Sequence, residues 1–151
     1  MLREEYNKIV NEMTLTSLQA EGAHISEYHF ELTDEQLKRR CKSLRGEDSV
    51  RGATVFDISQ QEAIEHIKEV FLDEDFDNPG CVLEWLDDAS DGGDFILFKT
   101  FNTPVGHGYY RASWHEWKDG PKQCYEIIIV LKKVERRYDT IFQVVTAYPS
   151  R

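Results

Sequence analysis

The last apolar run of the chain carries two hydroxyls. In Gln143–Arg151, read Gln-Val-Val-Thr-Ala-Tyr-Pro-Ser-Arg, Thr146 and Tyr148 stand two residues apart. Residues at that spacing in a strand project from the same face. More than a hundred residues upstream, His29 precedes a helix and Arg40 lies two turns into it, so the two can flank one pocket. Imidazole exchanges protons near neutral pH, and the planar guanidinium fork meets two oxygens of an anion at once. Hydroxyls add preorganised hydrogen bonds where charge develops. Together these four side chains have the types needed for proton transfer beside an oxyanion. Taken alone, a hydroxyl pair at a strand end is more often a solvated face.

The elements that must position these groups can be read from spacing and caps. Residues 4–19 place Tyr6, Ile9, Val10, Met13 and Leu18 at helical intervals, giving an N-terminal helix within 1–20. Thr33 followed by Gln36 is a capping-box pattern that starts a helix over 34–45, with Leu37 and Cys41 on its apolar side. Ala53-Thr54-Val55-Phe56 is β-prone. Ser59 with Glu62 starts an amphipathic helix over 60–72, and Asp73–Asp77 with Asn78-Pro79-Gly80 breaks it. Val82, Leu83, Trp85 and Leu86 make a short further helix. Strand patterns follow over 95–101, 107–117, 124–132 and 138–147. Pro149 has no N–H for a ladder, so pairing should end there. Helices followed by strands predict one α+β domain over 1–151, with N-terminal helices packed on a C-terminal antiparallel sheet.

Length and composition fit that single domain: 151 residues, 40% hydrophobic and 12% aromatic, make one core. No run reaches membrane-spanning length, and no charged n-region precedes an apolar h-region, so the chain is expected to carry no export signal of its own. Cys41, Cys81 and Cys124 are an odd number without metal-ligand spacing, so buried free thiols are expected. The net charge of −10 speaks against binding a polyanion, but it is unevenly spread. Residues 51–94 hold 2 basic and 13 acidic side chains, whereas residues 95–151 hold 9 and 5. Two basic clusters fall near the candidate residues in sequence: Lys38, Arg39, Arg40, Lys42 and Arg45, then Lys132, Lys133, Arg136 and Arg137. The second of these also reads as the turn of a hairpin.

One family shares this layout. Gly22-x-His24, His29, Thr33-Asp34, Leu37 and Arg40 come first, then Thr54-Val55-Phe56, Glu84-Trp85-Leu86, Val130-Leu131-Lys132 and Thr146-Ala147-Tyr148-Pro149. In that order and spacing the chain resembles, over residues 22–149, the ribonuclease A-like bacterial toxin domains at the C-termini of contact-dependent growth inhibition and related polymorphic toxins. The resemblance implies a ribonuclease A-like fold and a metal-independent endoribonuclease that needs no cofactor. Such an enzyme attacks the phosphorus with the ribose 2′-OH and leaves a 2′,3′-cyclic phosphate. It implies RNA, with tRNA among the candidates, as substrate, a cognate immunity protein, and a larger delivery protein. It also implies entry into the cytoplasm of a target bacterium and no membrane partner. By the same resemblance His29 serves proton transfer, Arg40 phosphate stabilisation, Thr146 a hydrogen bond to phosphate, and Tyr148 phosphate binding or base stacking. The second acid–base group stays open, with His24 the first candidate and a bracing histidine the alternative.

Arg39 and Lys42 are candidate substrate contacts. His107, in Val105-Gly106-His107-Gly108, is a weaker one, since a bulge explains the flanking glycines equally well. His66 reads as a half-exposed helix residue and His115 as a member of a cross-strand pair. Tyr109, Tyr110, Trp114 and Trp117 are stacking candidates that strands use more often in cores. The acidic patches at 73–77 and 87–94 lack calcium-loop spacing and read as solvated turns. Two rival readings survive: a small acidic immunity or interaction protein, and an inactive RNA-binding domain on the same fold.

Overall fold

The computed structural model describes residues 1–25, 29–43, 51–112, 115–116 and 120–151, and describes the backbone alone at 41–43, 51, 111–112 and 115–116. The single helix expected at the N-terminus is two, α1 (Arg3–Asn11) and α2 (Leu15–Ala20). Thr14 explains the break. Its Oγ1 accepts the Ser17 N–H at 3.0 Å while Ser17 Oγ accepts the Thr14 N–H at 3.0 Å. This reciprocal cap satisfies the orphan donors of a new helix start. Tyr6 and Val10 of α1 and Leu18 of α2 are buried, whereas Ile9 is exposed. The α3 helix (Asp34–Ser43) starts where the Thr33–Gln36 box puts it, with Gln36 Oε1 accepting the Thr33 N–H at 2.8 Å.

Ser59 Oγ accepts the Glu62 N–H at 3.1 Å and starts α4 (Gln60–Phe71), which buries Ala63, Ile64, Ile67, Val70 and Phe71. The Tyr6 hydroxyl donates to Phe71 O at 2.7 Å and ties α1 to it. Asn78-Pro79-Gly80 does more than break that helix: it opens α5 (Asn78–Asp87). Asp77, at φ 47°, caps the new helix by accepting the Gly80 N–H at 3.2 Å. Pro79 falls in the first turn, where a missing N–H costs nothing.

The strands form two antiparallel sheets. In the first, β1 (Arg51–Phe56) pairs with β3 (Gly106–Ala112), which also pairs with β4 (His115–Glu116) and β5 (Lys122–Cys124). The second has the order β2 (Phe95–Thr100), β6 (Glu126–Glu135), β7 (Thr140–Ser150). Two expected strands are therefore each divided. The 107–117 run folds back, with Arg111 opposite Glu116. The 124–132 run changes sheets at Tyr125, where Cys124 O accepts the Val105 N–H at 2.8 Å and Tyr125 O accepts the Phe101 N–H at 2.7 Å. Leu97, Ile127, Ile129, Leu131, Phe142 and Val144 give the second sheet a buried face packed against α1, α4 and α5. The acidic middle segment thus lies behind that sheet. Between α3 and the first sheet is a smaller core of Leu37, Ala53, Val55 and Tyr109.

Pairing does not stop before Pro149. It sits opposite Ile127, and the ladder runs on to Ser150 opposite Glu126. β7 is an edge strand, where a residue without an N–H is tolerated on the outward side. The register also slips by one: Thr146 faces Val130 but Val144 faces Leu131, leaving Val145 as an extra residue. Before this bulge Phe142 and Val144 point into the core, and after it Ala147 does, while Pro149 is buried beside Gly106 of the first sheet. The bulge therefore turns Thr146 and Tyr148 out of the core, where unbroken alternation would have buried them beside Val144.

Candidate functional site

Strands β1 and β3 and the end of β7 enclose a cleft of about 350 Å³. His29, Arg40, Thr146 and Tyr148 all line it, together with Gly52, Ala53, Thr54, Tyr110, Pro149 and Ser150. Four side chains chosen for their types and spacing, from three separate segments, thus share one concave surface. Leu37 holds α3 against the first sheet, and one turn further along α3 Arg40 reaches the cleft.

His29 Nδ1 lies 3.2 Å from Thr54 O. A carbonyl only accepts, so Nδ1 carries the proton in this contact and Nε2 keeps the lone pair. The Tyr148 ring stacks on the imidazole, with centroids 5.7 Å apart and planes 27° apart. Burial is the main reason the His29 pKa falls to about 4; the Arg40 cation pushes the same way, and the Thr54 carbonyl opposes both. At neutral pH the ring is therefore uncharged and able to accept a proton. Burial, and next the negative charge of Glu126, raises the pKa of Tyr148, so its hydroxyl keeps its proton.

Thr146 Oγ1 donates to His24 O at 3.0 Å, and the His24 N–H donates to Val145 O at 3.1 Å. His24 thus contributes its backbone, fastening the bulge and orienting the Thr146 hydroxyl. Its ring is exposed and is not part of the cleft lining. Arg39 is exposed on α3 and does not line the cleft. The Lys42 side chain, Arg45, Trp114 and Trp117 lie outside the described residues, as does the side chain of His115.

His107 is also away from the lining. Its Nδ1 donates to both Asp57 carboxylate oxygens at 2.8 Å, and its Nε2 donates to Asp34 Oδ1 at 2.9 Å. Lys132, Lys133, Arg136 and Arg137 belong to the β6–β7 hairpin end, where Lys133 Nζ donates to Asp88 O at 2.6 Å. Measured along the strand, the tip beside Arg136 and Arg137 is roughly 25 Å from Tyr148, whereas Lys132, opposite Gln143, is nearer. His66 is a half-buried helix residue against the Phe101 ring at 4.4 Å. Cys124 is a buried free thiol as expected, whereas Cys81 is free but exposed.

Sequence spacing did not single out Gly52, Thr54 or Ser150. Gly52 faces Tyr110 across the β1–β3 ladder, and a Cβ there would lie 2.7 Å from the Tyr110 ring. The glycine lets that ring lie flat over β1 and line the cleft. The signal was available, as a lone glycine inside a β-prone run marks a close approach. The Arg151 guanidinium lies 4.4 Å over the Tyr110 ring centroid. Among the described residues no three His, Cys, Asp or Glu side chains gather as a metal site, and no helix is long and apolar enough to cross a membrane.

The family model for the bacterial CdiA-CT RNase A domain matches residues 23–149. The chain belongs to that family. This CdiA-CT RNase A domain is therefore a member of a family of toxin nucleases. A solved structure, a CdiA-CT/CdiI complex from Y. kristensenii 33638, is similar to it at 14% identity and a TM-score of 0.58. The match covers 83% of this chain and 96% of that one. At that identity the likeness speaks for the fold alone, and it supports the α+β, ribonuclease A-like architecture. No curated protein matches the sequence.

Proposed function

We propose that this CdiA-CT RNase A domain is a metal-independent endoribonuclease that cleaves RNA by attack of a ribose 2′-OH on the adjacent phosphorus. The observation that carries the reading is the meeting of His29, Arg40, Thr146 and Tyr148 in one cleft. His29 Nε2, unprotonated at neutral pH, takes the 2′-OH proton. Arg40 holds two non-bridging oxygens as the phosphorane forms. The Thr146 hydroxyl, now donating to His24 O, turns or shares its proton toward the same oxygens. With the His24 ring outside the lining, the Tyr148 hydroxyl beside His29 is the donor to the departing 5′-oxygen. The products are a 2′,3′-cyclic phosphate and a 5′-hydroxyl. Phosphate contact through Arg40, with the acidic helices behind the second sheet, reconciles an acidic chain with a polyanionic substrate.

The same reading brings partners. The similar solved structure is a CdiA-CT/CdiI complex, and by analogy this domain has a cognate immunity protein. It would be carried as the C-terminal part of a larger delivery protein and act in the cytoplasm of a target bacterium during interbacterial competition. Total RNA and purified tRNA incubated in EDTA with the wild type, His29→Ala and Thr146→Ala give the test. Cleavage that survives EDTA and collapses in both variants is expected. Clean, folded protein that leaves both RNAs intact would overturn the enzyme reading and favour an RNA-binding or interaction role.

A further inference from the structure

We propose that His107 is a positioning residue for Arg40: as a cation bridging Asp57 and Asp34, it fixes the first turn of α3 against the first sheet and so sets where the guanidinium meets the cleft. The inference rests on the ribonuclease reading only for its kinetic consequence. The geometry stands without it. Both ring nitrogens of His107 face carboxylate oxygens, at 2.8 Å to Asp57 and 2.9 Å to Asp34. Carboxylates only accept, so both nitrogens must donate, and the ring is an imidazolium. The two carboxylates lie on opposite edges of the ring and converge on no common point, as a cation bridge requires and a metal site does not.

The three residues join parts far apart in the chain. Asp57 follows β1, His107 is on β3, and Asp34 is the first residue of α3. Among the described residues α3 is also seated by Leu37 against Ala53, Val55 and Tyr109, by Lys38 Nζ 5.2 Å over the Tyr109 ring, and by the Tyr109 hydroxyl, which donates to Asp34. The apolar contacts allow α3 to slide or turn, whereas the two-sided ionic bridge, beside the Tyr109 hydroxyl, pins Asp34 and so the register of the first turn. Arg40 lies less than two turns beyond Asp34, so tilting the first turn displaces its side chain in the cleft. Asp34 and Asp57 are each about half exposed, at 53% and 46%. The bridge therefore contributes more to geometry than to stability.

A charge bridge on imidazole is sensitive to pH. Burial lowers the His107 pKa, but the Asp57 and then the Asp34 carboxylates outweigh it, and the net shift is upward from 6.5. The bridge is therefore complete below about pH 6.5 and is lost as pH rises through the raised value. The other groups around it do not reverse this. Glu35 and Lys38 of α3 pair with each other at 3.6 Å, Tyr109 on β3, its pKa raised by burial first and then by Asp34, stays protonated and donates to Asp34, and Gln123 opposite on β5 is uncharged, with Lys122 beside it.

The test uses inorganic sulfate, an oxyanion that does not titrate in this range, bound to the whole chain and followed by the ring resonances of His29 between pH 6 and 9. RNA cleavage is measured alongside. Wild-type affinity for sulfate should fall with rising pH, by between about twofold and thirtyfold, the range for coupling through one intermediate element. His107→Lys, which keeps the charge, should hold its affinity flat to pH 9, and His107→Gln should bind at every pH as weakly as the wild type does once its own ring has lost the proton. Sulfate affinity in the wild type that is flat from pH 6 to 9 would overturn the proposal, whether or not the variants fold. So would a folded His107→Gln that binds and cleaves like the wild type. If sulfate binding follows this pattern while no RNA is cut, the ribonuclease reading fails and the bridge stands. Normal cleavage with sulfate binding indifferent to residue 107 is the reverse.

Discussion

The clearest quantitative consequence concerns His29. A pKa lowered from 6.5 to about 4 corresponds to about 3 kcal/mol of preference for the neutral ring in the folded chain. Between those values the unfolded chain binds more protons than the folded one. Stability from this residue is therefore full above about pH 6.5, falls as pH drops, and is exhausted below about pH 4. By pH 4.5 about 2.5 kcal/mol of it should be gone. Replacing His29 with Gln removes the titration and leaves every other group in place. Urea unfolding of wild type and His29→Gln at pH 7.5 and 4.5 isolates the effect, since shared carboxylates cancel in the difference. The wild type should lose about 2.5 kcal/mol more than the variant over that interval. The acid limb of kcat/KM should likewise lie near pH 4 and not near 6.5. A differential loss below about 1 kcal/mol, or an acid limb at the ordinary histidine value, would mean that the ring is hydrated, and the proposed base would have to be reconsidered.

Three further outcomes follow from the geometry. Thr146→Val keeps shape but loses the hydrogen bond to His24 O; it should cost about 1 kcal/mol in thermal unfolding and lower cleavage by roughly 10²-fold. Gly52→Ala places a methyl 2.7 Å from the Tyr110 ring and should destabilise by about 1–3 kcal/mol while narrowing the cleft, read by thermal melting and by KM. Neutralising Arg136 and Arg137 together should change cleavage at moderate salt by no more than about twofold, because the hairpin end lies well beyond a Debye length from the cleft.

Much of this molecule could be read from local signals. The caps at Thr33 and Ser59 set the starts of α3 and α4, since a side-chain oxygen three residues before a matching N–H is a purely local interaction. The pair Thr146 and Tyr148 was legible for the same reason, as period-two alternation needs only neighbours. Which face the pair takes was not legible. That depends on the bulge at Val145, a mismatch between two strands that neither strand announces alone. The break at Thr14 was missed because the apolar spacing of Tyr6, Val10, Met13 and Leu18 runs across it. The histidines were separated only by partners distant in sequence. His29 met Thr54 O and Tyr148, whereas His107 met two carboxylates and His24 kept its ring outside the cleft. The basic clusters show the limit of counting charge: the hairpin holds Arg136 and Arg137 of the second far from the cleft.

The hydrogen bond between Thr146 and His24 joins residues 122 apart, and the cleft exists only when such distant segments meet. A chain emerging from the ribosome carries His29 and Arg40 long before Thr146 and Tyr148 arrive. Until β7 zips onto β6 there is a half-site with no opposing wall. Loop closure over that span is among the last and slowest contacts a chain of this topology makes. Competence thus arrives with the final strand, and fraying that one edge strand switches it off. Any chemistry the cleft performs therefore depends on the pairing of β7 with β6, and not on the presence of the four side chains alone.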